Sequence, residues 1–514
     1  MNKAKLSLSL LLLGTSIVAA QEVPAHAAET APVPVAAPET PAVVTPAVVS
    51  VSPAPVVVAV AEAAPAKPAE TVSTTVAGTK ISLYGRLELN AAIEDGITNG
   101  LWSAWAATPA KNKDGKKITP QNRTSLSIAR TRFGLNLEGP SKENEPGLKG
   151  KFEADFAGAS GYNNFSGGAG SGTSTSTSTS TSETKSTLQY NEDDPSSSVI
   201  IDSTKTTTTT TTTTTVSSGF RVRQSWGSLN FKDIGLTLLF GQTDDVVNPL
   251  DPPSINPSSL NGVGNIGTRR PQIRATEAVG PVELAVAVTH DRLRADDNVA
   301  SSMPAFQGRL GLKLPASWAD EKSSLAVGIS GLFAKDEAAN ADDKNRKRRG
   351  PTTNFFGADL SAPLLSILTL SGEFFMGRNL SRYADGSLGL NHTSSSNPTK
   401  VKEDGLKSKG WWGALAAKLP ANLSAAAGLG MENLDGDVKT DFDESTIIPG
   451  SRKDNMFIFA NIAYNFTSAA KVTFEYLNLS TDYADKVDKS KKTLEKVDSG
   501  KLNRFEVDFR YDFK

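Results

Sequence analysis

From Lys80 onward, hydrophobic and polar residues trade places at nearly every step. Over residues 80–91, Ile81, Leu83, Leu87, Leu89 and Ala91 fall on one face of an extended chain, and Lys80, Ser82, Arg86, Glu88 and Asn90 on the other. A period of 3.6 residues would not sort them in this way. The C-terminus repeats the pattern, with Phe505, Val507, Phe509, Tyr511 and Phe513 alternating with Arg504, Glu506, Asp508, Arg510 and Asp512. Between these ends the alternation predicts sixteen strands, at residues 80–92, 124–138, 147–157, 219–231, 235–242, 269–277, 282–290, 305–314, 323–333, 354–361, 366–379, 410–419, 422–431, 456–466, 470–480 and 502–513. The eighth and tenth carry the faintest pattern, which leaves fourteen and eighteen strands open. Several have about the 9 to 11 residues that a tilted membrane strand requires.

The connectors alternate as well. Lys232-Asp233-Ile234, Ala278-Val279-Gly280-Pro281, Pro420-Ala421 and Thr467-Ser468-Ala469 are short, whereas residues 93–123, 158–218, 243–268, 291–304, 334–353, 380–409, 432–455 and 481–501 are long and polar. Short turns at one end and long loops at the other mark barrels of the outer membrane. A soluble β-sandwich accounts for any single hairpin, but its apolar face would need a second sheet over some sixteen strands, whereas one closed sheet surrounded by lipid has no edge left to satisfy. The expected fold is therefore all-β: a transmembrane, antiparallel up-and-down β-barrel of 16 strands over residues 79–514. Its long loops would be extracellular and its short turns periplasmic.

Two segments precede the barrel. Lys3 and Lys5 lead into an apolar run from Leu6 to Val18, and Val18-Ala19-Ala20 offers a cut after residue 20, so 1–20 reads as a cleaved export signal. The run is shorter than the roughly 20 residues of a membrane-spanning helix, and no second apolar run follows it. Residues 21–78 are Ala, Pro, Val, Glu and Thr for the most part, a composition for an extended periplasmic linker rather than a packed core.

Composition removes several classes of function. Among 514 residues the net charge is −1, so no basic excess points to nucleic acid. There is no cysteine for a disulfide, a thiolate metal site or a nucleophile. The three histidines, His26, His290 and His392, stand beside no nucleophile or metal-ligand spacing, so neither an enzyme nor a cofactor is expected. The run Asn345-Arg346-Lys347-Arg348-Arg349 reads as a solvated loop face or a contact to lipopolysaccharide phosphates.

Strand parity places the arginines. Arg86, Arg130, Arg132, Arg221, Arg223, Arg270 and Arg274 point into the lumen if Leu87, Phe133, Val222 and Ile273 point to lipid, and an arginine on the lipid face would cost about 2–4 kcal/mol at the bilayer centre. In the second strand Leu126 and Ile128 would then also turn inward, unless a bulge or emergence from the membrane resets the parity. The long loop from Thr243 to Thr268 carries Asp244, Asp245 and Asp251, and its prolines at 249, 252, 253 and 257 favour a fixed irregular course.

The chain at this point resembles the Gram-negative outer-membrane porins, and their dicarboxylate-channel branch in particular. The likeness rests on Tyr84-Gly85-Arg86-Leu87, Arg130-Thr131-Arg132-Phe133-Gly134-Leu135, Leu148-Lys149-Gly150-Lys151-Phe152-Glu153, Arg221-Val222-Arg223-Gln224-Ser225-Trp226-Gly227, Phe240-Gly241-Gln242-Thr243 and Arg269-Arg270-Pro271-Gln272-Ile273-Arg274. It covers mainly residues 80–277 and the final strand. The resemblance implies a passive diffusion channel for small hydrophilic solutes in the outer membrane. It further implies a homotrimer embedded among lipid and lipopolysaccharide, and a third loop folded into the lumen. Carried onto this chain, Asp244, Asp245 and Asp251 would face the arginines across a constriction, where surplus positive charge would favour anions such as carboxylates. With equal weight, the arginines would instead pair with inward Glu88, Glu138, Glu153 and Asp155 as a lumen network.

Two features depart from the family pattern. Lys514 follows Phe513, where many such barrels end on an aromatic residue that the assembly machinery reads in the last strand. The loop 159–218 carries alternating Ser and Thr from Ser171 to Ser182 and ten threonines from Thr206 to Thr215, a low-complexity stretch whose hydroxyls could accept sugars. A surface adhesin or structural barrel displaying such a glycosylated loop is the alternative.

Overall fold

The computed structural model describes residues 73–96, 104, 106–109, 123–140, 145–157, 179–181, 207–209, 220–289, 299–301, 303–338, 352–380, 406–436, 450–488 and 492–513. The segment 1–20, most of the Ala/Pro-rich stretch, most of the Ser/Thr loop, the basic run at 345–349, the three histidines and Lys514 lie outside these residues.

Sixteen strands close into one barrel. They are β1 Thr79–Glu94, β2 in two pieces (Arg123–Ser127 and Arg132–Glu138), β3 Gly147–Asp155, β4 Arg221–Phe231, β5 Leu236–Asp244, β6 Arg269–Val279, β7 Val282–Thr289 and β8 Ala305–Pro315. The wall continues through β9 Ser324–Ala338, β10 Thr352–Leu365, β11 Leu368–Arg378, β12 Lys407–Lys418, β13 Leu423–Asp435, β14 Arg452–Asn465, β15 Ala470–Tyr483 and β16 Gly500–Phe513. Each strand pairs antiparallel with the next, and β16 returns to β1 with Gly85 opposite Phe513 and Glu94 opposite Arg504. Closure leaves no sheet edge in lipid. On one rim the connectors run from two residues (280 and 281; 366 and 367) to eight (316–323), and on the other they have thirteen (339–351) or more. We call these rims the turn side and the loop side.

Two departures from the expected layout lie at the start of the chain and in the long loop after β3. Ser73–Val76, in the stretch read as linker, pairs with Thr79–Ser82 of β1 through a tight turn with Ala77 and Gly78 at positive φ. Within the Ser/Thr loop, Thr179–Thr181 pairs with Thr207–Thr209 as a two-stranded ribbon.

The wall obeys the period of two. Leu87, Leu89 and Ile93 on β1, Phe240 on β5, Ile273 on β6, Val286 and Val288 on β7, Ile329 and Phe333 on β9, and Phe505 and Phe509 on β16 are exposed on the outside. Their neighbours Glu88, Asn90, Glu94, Arg504, Glu506 and Asp508 are buried within. The apparent misfit of Leu126 and Ile128 resolves as a bulge. Arg132 stands opposite Arg86 and Ser127 opposite Asn90, so four residues of β2 face three of β1 and the parity flips between the pieces. Leu126 and Ile128 consequently point outward, 72% and 58% exposed. Thr131 fills the gap in the ladder: its hydroxyl accepts from the Glu88 amide (3.0 Å) and donates to the Glu88 carbonyl (3.1 Å). A second irregularity, between Glu153 and Ala154 on β3, lets Arg223 and Arg221 both reach the inward Asp155.

Candidate functional site: the arginine-lined lumen

The connector 245–268 does not leave the barrel; it crosses the lumen and is tied to the opposite wall at successive points. The Val246 amide donates to Gln307 of β8 (3.1 Å) and the Leu250 amide to Glu373 of β11 (2.9 Å). Ser254 Oγ and the Ile255 amide donate to Glu475 of β15 (2.7 and 2.9 Å), and Asn256 Nδ2 donates to Glu506 of β16 (2.7 Å). Wall amides hold it in return, Asn461 Nδ2 on the Pro253 carbonyl and Asn455 Nδ2 on the Gly262 carbonyl. Carboxylates serve here as fixed acceptors for a strand-free backbone, which four prolines keep from pairing with itself.

Apolar packing completes the attachment. Val246, Val247 and Ile266 of the loop bury against Leu332, Phe355 and Phe375, and Leu260 and Val263 against Trp412, Phe457, Phe459, Leu477 and Leu479. These aromatic side chains point into the barrel. Where β9–β15 meet the loop, their inward face is mostly apolar, for the reason any core is. Gly430 marks a close approach, since a Cβ there would meet the Val263 carbonyl and the Leu260 side chain.

What the loop leaves open is a cavity of about 590 Å³ against β2–β8, lined by Arg130, Arg132, Arg221, Arg223, Arg269, Arg274 and Arg309. Each expected site residue can now be placed. Arg86 lies inside the wall toward the turn side, on Glu88 (3.2 Å) and Asp512 (3.1 Å). Arg130 reaches Glu88 (3.0 Å) and donates to the Ile255 carbonyl of the loop (2.7 Å). Arg132 and Arg223 share Glu153 (3.4 and 2.7 Å), and Arg221 and Arg223 share Asp155 (2.5 and 2.9 Å). Arg274 donates to Gln272 Oε1 (2.9 Å) and to the Asp244 carbonyl, both neutral oxygens.

The three aspartates separate. Asp251 is exposed on the loop and lines the cavity opposite the arginines. Asp244 stays on the arginine side, at the end of β5, paired with Arg269 (2.9 Å). Asp245 and Arg270 are buried against each other (2.8 Å), with Gln307 as a further donor to Asp245, and brace the root of the loop rather than presenting free charge. Glu88, Glu153 and Asp155 do form the paired network, whereas Glu138 lies exposed at the end of β2, in register with Lys80 and Lys149.

Pairing does not neutralise what a solute meets, because the partners sit at different depths. The side chains of Asp155 and Glu153 are 0% and 4% exposed, against 15% and 14% for Arg221 and Arg223. The guanidinium edges face the water and the carboxylates lie behind them.

Sequence reasoning missed Arg269 and Arg309, although parity would have placed Arg309, which pairs with Asp359 (2.7 Å), on the inner face of β8. It also missed the anchors Glu373, Glu475 and Glu506. For Glu373 and Glu475, an inward carboxylate with no cation two residues away on its strand was the one visible sign.

Comparison with solved structures agrees with this architecture. The outer membrane channel DcaP of Acinetobacter baumannii superposes with a TM-score of 0.58 at 17% identity, over 85% of this chain and 99% of that one. An anion-selective porin from Comamonas acidovorans matches with a TM-score of 0.45 at 12% identity, over 85% and 100% of the two chains. No protein-family model matches the sequence, and no curated protein matches it. The fold is the sixteen-stranded closed barrel of the outer-membrane porins.

Proposed function

We propose that the chain is a passive outer-membrane channel for small hydrophilic solutes, with a preference for anions and carboxylates among them. The observation that carries this reading is the cavity between the inward loop and the arginine wall. Seven guanidinium groups line it, and the carboxylates that compensate several of them are withdrawn behind them. A sixteen-stranded barrel is wide enough to keep an aqueous path, and a low-dielectric wall strengthens the field of charges at its surface. The neighbour from Acinetobacter baumannii is itself an outer membrane channel, and the one from Comamonas acidovorans is anion-selective. Removal of residues 1–20 on export, engagement of the last strand by the assembly machinery, and a homotrimer surrounded by lipopolysaccharide belong to the same reading.

Reversal potentials across planar bilayers in a KCl gradient test it. Chloride should permeate ahead of potassium, and Arg274→Gln, which removes a guanidinium whose hydrogen bonds among the described residues go to neutral oxygens, should lower that preference. A wild-type channel that favours potassium would refute the proposal.

A further inference from the structure

On the turn side of the inward loop lies a second cavity, of about 390 Å³. Arg130, Lys418, Lys471 and Arg510 bring cations to it, and Asp320 and Asp508 bring carboxylates. The four cations differ in how they are held. Arg130 is fixed by Glu88 and the Ile255 carbonyl, and Arg510 by Asp512 (2.6 Å). Lys418 and Lys471 have no carboxylate within 4 Å among the described residues, and Asp508 and Asp512 act on Lys471 only from beyond that distance. On the same stretch of wall, between the strands of the two lysines, Ala416, Ala426 and Ala463 add an apolar lining.

We infer that this cavity is a second anion subsite, taking small organic carboxylates with the acid group toward Lys471 and Lys418 and the carbon skeleton on the alanines. The inference rests on the anion-channel reading and deepens it. Arg130 lines both cavities, and the segment Pro253–Ile255 separates them, so a carboxylate leaving the arginine wall meets a cation shared with the next station. Successive sites of moderate strength suit transport, because a solute must bind well enough to enter and weakly enough to leave.

The test is block of chloride current by succinate, with the full chain in planar bilayers and succinate added to the turn-side compartment. The double variant Lys471→Gln/Lys418→Gln should need roughly fivefold more succinate for half block, the size expected from losing two solvent-accessible ion pairs. Lys471→Arg, which keeps the charge, should block like the wild type. Half block at an unchanged succinate concentration in a conducting double variant would overturn the subsite and leave the anion channel standing. A cation-selective wild type would instead remove the reading on which the subsite rests. Should the double variant not fold, the absence of native cysteine offers another route. Succinate should slow modification of Lys471→Cys by an anionic methanethiosulfonate, and an unchanged rate would overturn the inference.

Discussion

Replacing Glu475 by alanine should open the constriction without opening the barrel. Four donors converge on this one buried carboxylate: Ser254 Oγ at 2.7 Å, the Ile255 amide at 2.9 Å, the Asn256 amide at 3.2 Å and Asn461 Nδ2 at 2.8 Å. A hydrogen bond to a charged group contributes about 1.5–3 kcal/mol, and four that share one acceptor are not additive. A loss of about 3–5 kcal/mol in the attachment of residues 253–257 follows, comparable with the ~5.5 kcal/mol that carries an equilibrium from 99:1 to 1:99. The wall ladder does not depend on this side chain, and the bonds at Val246 and Leu250 remain, so the loosening is confined to the partition between the two cavities, which keeps only its bonds from Asn461 to Pro253, from Arg130 to Ile255 and from Asn256 to Glu506. Single-channel recording should show larger and noisier conductance with weaker selectivity, in protein whose heat-dependent electrophoretic mobility still marks a folded barrel. A folded Glu475→Ala channel with wild-type conductance and selectivity would refute the reading that residues 253–257 narrow the path between the two cavities.

Further expectations concern the wall. Ile273→Arg places a guanidinium on the outer face of β6 and should destabilise the barrel by about 2–4 kcal/mol, read from urea unfolding in lipid vesicles; no loss would mean that this face does not meet hydrocarbon. Thr131→Val removes both bonds to the Glu88 backbone at the bulge, and a loss of about 1–3 kcal/mol is expected in the same assay. Gly430→Leu drives a side chain into the loop tip at Val263 and Leu260, which should lower the unfolding midpoint and raise conductance together.

The exterior of the barrel was legible in the sequence because hydrocarbon imposes one rule on every strand. Leu87, Phe240, Ile273, Val286 and Phe505 had to alternate with polar neighbours, and all are exposed on the outer wall. The misfit at Leu126 and Ile128 was visible too, and a one-residue bulge accounts for it. The lumen was legible only where water fills it. Arg221, Arg223, Glu153 and Asp155 could be assigned inward from parity, but their pairing and relative depth depend on a bulge that no alternation encodes. The separate fates of Asp244, Asp245 and Asp251 depend on where a proline-rich connector turns, which lies outside any strand period.

The aromatic inner wall shows how the missing half is written after all. Around Phe457-Ile458-Phe459 both faces of β14 are apolar, and around Trp411-Trp412 both faces of β12. One face of each answers to lipid, with Ile458 and Trp411 exposed outside, and the other to a second apolar surface, with Phe459 and Trp412 buried inside. Strands that are apolar on both faces therefore trace the footprint of the inward loop, just as strands with one charged face trace the water path. Because part of the inner surface of β9–β15 is given to the loop, the first cavity lies against β2–β8, among the arginines of those strands. On the proposed reading, selectivity in this barrel would follow from hydrophobic burial on the far wall as much as from the charges on the near one.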